Sequence, residues 1–256
     1  MRPGRPSFTA RWVAAQRARL ADQRPTIPTG RPELEAALYR SLGAVLGVSA
    51  FRPTSMAART AFFDRETVCA IERGVPQIVI VGAGYDGRAA RFACPAVRWF
   101  ELDYPSTQED KRRRLGPASD LATFVPIDLA TDDVEAALDR GGHDARRPSL
   151  FMCEGLFAYL SIADGTALLA SLRRCAAPTS GVAANFLVNA RPKRVADAGL
   201  AVIGERRRAR FTAEDPARML EQAGWHVDSR EATDRRRGEG LVLITGRATH
   251  DRRTSS

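Results

Sequence analysis

The sequence predicts one α/β domain on a mostly parallel, seven-stranded sheet, and three observations carry that prediction. Short apolar runs alternate with helical stretches between residues 77 and 188. The stretch QIVIVGAGYDGRAARFACPAVRWFELDYP (77–105) reads strand, glycine turn, helix, strand, acid, the first βαβ unit of a nucleotide-binding sheet. The chain closes with two strand-like runs, 225–232 and 241–248, joined by a charged turn and not by a helix. Such a hairpin places one antiparallel strand in an otherwise parallel sheet. With 256 residues, no internal repeat and no second core, a single domain over 1–256 is expected. It divides into a helical cap (1–50), a Rossmann-like core (51–248) and a polar tail (249–256).

Taken in order, Thr9 to Ala21 has helical spacing, with Trp12, Val13 and Leu20 on the expected inner face. Asp22 to Pro32 holds three prolines and a glycine and reads as a loop. Glu33 to Leu46 is a second amphipathic helix, and 56–73 is a long one with Phe62, Val68 and Ile71 inward. The pair of helices in 1–50 is either a cover over the site or a packing appendage. Strands are expected at 77–81, 98–102, 123–127, 149–153 and 181–188, each followed by a helix or an irregular stretch. The helix 105–115 carries a KRRR run (111–114), read as an exposed face. Thr131 is the expected cap of the helix before Gly141, and Thr212 is expected to begin the helix that ends at Gly224. The arginine-rich segment 189–210 reads as an irregular loop or lid.

Composition narrows the function classes. The chain is 44% apolar and 27% charged, with net charge +9, which is globular. No apolar run approaches the ~18 residues of a membrane span, and the basic N-terminus lacks the apolar centre of a signal peptide. A cytoplasmic protein is therefore expected. The four cysteines (Cys69, Cys94, Cys153, Cys175) are scattered, so they read as reduced thiols and no metal site is expected. Of the 39 basic residues only Lys111 and Lys193 are lysines. Arginines spread along an alanine-rich chain point to a GC-rich coding sequence, and without aromatic platforms they disfavour a nucleic-acid partner.

The chemistry sits at strand ends. In an open α/β sheet, ligands bind beyond the carboxyl ends of the strands. Gly82 and Gly84 follow the first strand there, and Asp103, Asp128 and Glu154 follow the next three. Glycines let a ligand approach the backbone, and a carboxylate at the second strand can accept both hydroxyls of a ribose. The run G82-A-G84-Y-D-G87 also satisfies the dinucleotide fingerprint, with Asp103 further on, so NAD stays open on that motif alone. Three carboxylates beside one glycine turn favour a cationic, hydroxyl-rich ligand, and S-adenosylmethionine (SAM) has both properties.

These segments together resemble the leucine carboxyl methyltransferase family of class I SAM-dependent methyltransferases, with the look of the actinobacterial branch that includes tetracenomycin-type polyketide carboxyl O-methyltransferases. The likeness rests on SFTARWVAAQRA (7–18), AARTAFFD (57–64), VIVGAGYDGRAARF (79–92), WFELDYPSTQEDKRRRL (99–115), VPIDL (125–129), CEGLFAYL (153–160) and FTAEDPARMLEQAGW (211–225). It implies a Rossmann-like class I methyltransferase fold with SAM as cofactor. It further implies that Arg59 pairs with the SAM carboxylate, Gly82 and Gly84 admit the cofactor, and Asp103 holds the ribose. Asp128 and Leu129 would meet the adenine, Glu154 would face the ammonium, and Tyr159 would pack beneath the site. Two positions depart from the pattern: Phe8 stands where a basic residue is common, and Gly87 where Thr or Ser is.

The resemblance implies methyl transfer to an oxygen, with a small-molecule carboxylate as acceptor. A carboxylate is ionised at neutral pH, so no general base is needed, and no catalytic residue is assigned. That suits a chain whose three histidines (His143, His226, His250) fall in a turn, on a strand surface and in the tail. Two alternatives stay open. An NAD-dependent oxidoreductase would need an acid such as a Tyr–Lys pair, and no suitably spaced pair is visible. A non-catalytic or RNA-associated SAM-binding protein is the other, although CEGLFAYL occupies the place of the Pro-Pro-aromatic signature of RNA-directed relatives.

Overall fold

The computed structural model describes residues 7–43, 53–189, 209–233 and 240–248. Most of the 189–210 segment, the turn at 234–239 and the 249–256 tail lie outside the described residues.

Seven strands form one sheet: β1 (Gln77–Val81), β2 (Arg98–Asp103), β3 (Thr123–Pro126), β4 (Ser149–Cys153), β5 (Gly181–Val188), β6 (Trp225–Thr233) and β7 (Gly240–Ala248). Their order is β3-β2-β1-β4-β5-β7-β6. Neighbours from β3 to β5 pair in parallel, and β7 runs antiparallel to both β5 and β6. β7 is therefore the single reversed strand expected from the terminal hairpin. The parallel strands are short continuous apolar runs because helices cover both of their faces. The order reverses between β1 and β4, and this switch point opens a crevice at the carboxyl edge. A register shift between Val227 and Ser229 bulges β6, a device that discourages pairing at a sheet edge.

The helices are α1 (Phe8–Ala18), α2 (Pro32–Ser41), α3 (Pro53–Glu72), α4 (Arg88–Arg91), α5 (Pro105–Leu115), α6 (Val134–Arg140), α7 (Ile162–Arg174) and α8 (Asp215–Gln222). On one face of the sheet, Phe100, Phe151 and Val182 meet Leu138 of α6, Leu169 of α7 and Leu220 of α8. On the other, Ile78, Ile80 and Met152 meet Phe62 and Phe63 of α3. A third cluster joins Ala14, Leu38, Tyr39 and Leu42 of the cap to Tyr85 in the glycine turn. The cap is thus seated on the carboxyl edge of the sheet.

Local chemistry explains where the elements differ from expectation. α4 is one turn long, not the full helix expected after the glycine turn. α6 is capped by Asp133, whose side chain accepts from the Glu135 and Ala136 N–H groups, while the Thr131 hydroxyl donates to Asp132. α8 begins at Asp215, not Thr212, because Pro216 fits only the first turn of a helix. In α1 the buried residues are Ala14, Gln16 and Arg17; Trp12, Val13 and Leu20 are half-buried. The inner face of α1 is polar because charged partners wait beneath it.

At the sheet's amino-terminal edge, His143 is 7% exposed. Its Nε2 lies 2.9 Å from Ser149 Oγ, and its ring packs against Phe100 and Phe151. Burial lowers its pKa to about 4, opposed by Asp144 and assisted by Arg98. The unfolded chain thus binds a proton near pH 6.5 that the fold refuses until about 4. This contribution to stability is complete above pH 6.5 and is lost as the pH falls through that window. The unfolding free energy of the wild type, measured by urea titration, should drop between pH 6.5 and 4, by at most ~1.4 kcal/mol per pH unit, and the urea midpoint with it. His143→Phe should flatten the profile over the same interval. A wild-type midpoint that is flat there would refute this account.

Candidate functional site

The site is built where β1 ends. The chain turns through Gly82 (φ +70°) and Gly84 (φ +52°), a left-handed backbone that side chains disfavour. The N–H groups of Gly82 and Ala83 both donate to the Leu102 carbonyl, at 2.8 and 3.0 Å. The Gly84 N–H donates to Asp103 Oδ2 at 2.6 Å, and the Tyr104 N–H to Oδ1 at 2.6 Å. Asp103 therefore ties the turn to β2. A Cβ on Gly84 would lie 2.7 Å from the Ala10 Cβ. Helix α1 rests directly on the turn, which makes the cap part of the site.

Beside the turn lies a buried charge network. Glu154, just past β4, accepts from Arg59 Nε at 2.9 Å, Arg17 Nη2 at 2.6 Å and Arg88 Nη1 at 2.7 Å. Asp86, in the turn, meets Arg17 at 3.2 Å and Arg88 at 2.6 Å. Arg88 also reaches Asp64 on α3 at 2.7 Å, and Asp64 holds Arg24 at 2.7 Å. Arg24 continues to Glu35 on α2 at 2.8 Å, and Glu35 also binds Arg91. Burial pushes the Glu154 carboxyl up, but Arg17, Arg88 and Arg59 outweigh it and hold it well below the usual carboxylate range. Asp86 is lowered against its burial by Arg17 and Arg88 in the same way. Arg59 behaves differently: burial pulls its guanidinium down, and Glu154 only partly offsets this. Its Nη2 is buried without a hydrogen-bond partner.

The expected site residues fall into two groups. Gly82, Gly84 and Asp103 form one hydrogen-bonded unit, and Arg59 and Glu154 form another across the switch point. Glu154, expected to face an ammonium, already accepts from three guanidinium groups. It anchors Arg59. Asp128 and Leu129 stand past β3, where Asp128 Oδ1 accepts from the Ala130 N–H at 3.0 Å and Leu129 leans on the core. They connect to the first unit through the backbone, since the Ile127 N–H donates to the Asp103 carbonyl at 2.9 Å. The one turn of α4 offers little as a helix N-terminus, since its first N–H donates to Asp86 Oδ1 at 2.9 Å.

Both departures acquire a structural account. A Cβ on Gly87 would come within 2.4 Å of the Glu35 Cγ, so glycine there makes room for the carboxylate that holds Arg24 and Arg91. Phe8 opens α1 and is 46% exposed, so the position that commonly carries a basic residue faces solvent.

Residues 31–173 match the family profile of leucine carboxyl methyltransferases. The chain belongs to the leucine carboxyl methyltransferase family. A relative from Mycobacterium tuberculosis strain H37Rv, provisionally named an S-adenosyl-L-methionine-dependent methyltransferase, is 36% identical over 199 residues, covering 70% of this chain and 65% of the relative. One from Parafrankia sp. strain EAN1pec with the same provisional name is 35% identical over 179 residues, covering 67% and 54%. The chain thus spans just under two thirds of the length of the first of these relatives, and about half of the second. Among solved structures, a provisionally named methyltransferase from Thermobifida fusca superimposes with TM-score 0.63 at 16% identity, over 96% of both chains. The Burkholderia thailandensis 1,6-didemethyltoxoflavin-N1-methyltransferase, solved with 1,6-didemethyltoxoflavin and S-adenosylhomocysteine, does so with TM-score 0.51 at 18% identity, over 88% of this chain and 94% of that one. At such identities the likeness establishes the fold, the Rossmann-like fold of class I methyltransferases.

Several residues of this family member's site escape sequence reasoning. Arg17, Asp64, Asp86 and Arg88 lie within segments that carry the family likeness but receive no role from it, and 37 arginines in the chain hide the buried ones. The available signal was the spacing Ala10, Ala14, Arg17, which lies on one helical face. Lys111 is a correction. The KRRR run is not uniformly exposed: Lys111 is 1% exposed and donates to the Asp86 carbonyl and to Glu101 of β2, while Arg112 and Arg113 face solvent. Burial raises the Glu101 carboxyl even with Lys111 beside it. Lys111→Met should leave that carboxylate unpaired and cost ~3–5 kcal/mol, lowering Tm by roughly 10 °C; calorimetry with an unchanged Tm would refute the pairing. Gly84→Ala should strain the turn and displace α1, lowering Tm by several degrees and raising protease cleavage within 8–18. Unchanged cleavage and Tm would contradict the seating of Ala10.

Proposed function

We propose that this chain is a SAM-dependent O-methyltransferase acting on the carboxylate of a small molecule. One observation carries the cofactor reading: a buried, unpartnered guanidinium N–H on Arg59 lies across the switch point from a glycine turn tied to Asp103. Read along the carboxyl edge, the site offers an anion donor, then a hydroxyl acceptor at Asp103, then an acid with an apolar neighbour at Asp128 and Leu129. That order suits an amino-acid end, a ribose and an adenine. A dinucleotide would ask for a helix N-terminus beneath its pyrophosphate, and the one turn of α4 spends its first N–H on Asp86. Family membership and the provisional names of its relatives support the same reading.

Bound SAM would supply an electrophilic methyl group. The chain's own residues would do the rest: Arg59 would hold the carboxylate end by a charge-assisted contact, Asp103 would accept from the ribose, and α1 would exclude water above the turn. A carboxylate acceptor needs alignment but no proton removal. Of the described histidines, His143 lies at the opposite edge of the sheet and His226 on β6, which agrees with a reaction lacking a histidine base.

Isothermal titration calorimetry should show micromolar binding of SAM and S-adenosylhomocysteine and none of NADH. Asp103→Ala should weaken SAM by about tenfold or more, the worth of a charge-assisted hydrogen bond. Binding of NADH alone, or equal SAM affinity for the wild type and Asp103→Ala, would overturn the reading.

A further inference from the structure

We propose that Arg17 of α1 is a second donor to the cofactor's carboxylate, so that the cap helix completes the cofactor site as well as covering it. The inference rests on the cofactor reading above and assigns it a residue to which the family likeness gives no role. Arg17 is 4% exposed. Two of its three nitrogens are spent, Nη1 on Asp86 at 3.2 Å and Nη2 on Glu154 at 2.6 Å. The third, Nε, is buried without a partner. Arg59 is in the same condition: Nε spent on Glu154 at 2.9 Å, Nη2 buried and unpartnered. Two guanidinium groups thus grip the two oxygens of one carboxylate, and each carries one unmade hydrogen bond.

Charge leads to the same conclusion. The connected network joins Arg17, Arg24, Arg59, Arg88 and Arg91 to Glu35, Asp64, Asp86 and Glu154. Five cations against four anions leave one positive charge in a buried setting, where uncompensated charge is costly. A single ligand carboxylate would neutralise it and accept from both open donors, since a carboxylate has two oxygens and about four lone-pair sites. Glu154 already accepts from three guanidinium groups, which leaves an ammonium at most about one of its lone-pair sites. The subsite therefore selects the carboxylate of the amino-acid end.

Arg17 can do this only while α1 is docked. The helix is fixed at its other end by the Ser7 N–H, which donates to Thr107 Oγ1 at 3.3 Å, and by Ala10 on Gly84. Cofactor affinity and docking of the cap should consequently be coupled.

The test compares S-adenosylhomocysteine with 5′-methylthioadenosine, which keeps the adenosine and thioether but lacks the amino-acid end. Both are titrated by calorimetry into the wild type, Arg17→Lys and Arg17→Met. The lysine variant keeps a cation at Glu154 but has no Nε–H, and it decides the matter if the methionine variant fails to fold. S-adenosylhomocysteine should bind Arg17→Lys at least about tenfold more weakly than the wild type, the range for a hydrogen bond to a charged group. 5′-Methylthioadenosine should change less than twofold. Parallel weakening of both ligands would make Arg17 a structural residue only, and unchanged affinities would remove it from the site; either result overturns the proposal. If the wild type binds neither ligand, the cofactor reading itself falls, and Arg17 with it.

Discussion

The rest of this structure depends on one buried guanidinium. Arg88 is fully buried, and it bonds Asp64 of α3, Asp86 of the glycine turn and Glu154 beyond β4. Removing an ion from water costs several kcal/mol even after relaxation, and only well-made pairing offsets it. Each partner must therefore arrive in place, which couples three elements far apart in sequence. Asp64 and Glu35 extend the same requirement to α2 through Arg24 and Arg91. This makes the position of the cap an electrostatic matter more than a hydrophobic one: its own apolar cluster is small, and Arg17 and Glu35 lie on its inner faces. It also explains Gly87, whose φ of −104° asks for no glycine. The missing Cβ is needed because Glu35 occupies that space.

A buried network of this size changes what the composition means. A net charge of +9 counts internal arginines together with the internal carboxylates that pair with them, so the number of basic residues overstates how many lie at the surface. Composition counts charges without placing them. The same ambiguity affects the helix KRRR run, where Lys111 turns inward to Glu101 while Arg112 and Arg113 remain outside. A lysine has a compact head on a flexible stem, and here it reaches both the Asp86 carbonyl and Glu101.

Most of the fold was legible because it rests on local periodicity. The continuous apolar runs at 77–81 and 149–153 can only be strands covered on both sides, and the charged turn before 241 can only return a strand beside its predecessor. Glycine spacing identified the turn, and a carboxylate at each strand end identified the edge that holds the site. What stayed hidden is non-local. Nothing near Glu154 in sequence announces that Arg17, 137 positions earlier, will occupy it. Trp12 and Val13 look like the inner face of α1 by hydropathy, yet the face is chosen by Asp86 and Glu154, which the helix meets only in three dimensions. Likewise the helix expected after the glycine turn is a single turn, and its first N–H is taken by the Asp86 side chain.

The same network bears on how the site discriminates. A carboxylate at the end of β4 could serve a cationic ligand group directly, but three guanidinium groups convert it into a scaffold for positive charge. The chemistry on offer beside the glycine turn is then that of open N–H donors on Arg59 and Arg17, and their preference is for an anion. One of those donors comes from β-sheet-bound α3 and the other from the cap. By linkage, a ligand that engages both stabilises the docked cap by the same free energy with which docking strengthens the ligand. Charge pairing thus joins two properties that fold topology leaves separate: which end of a cofactor is recognised, and when the cap is closed over it.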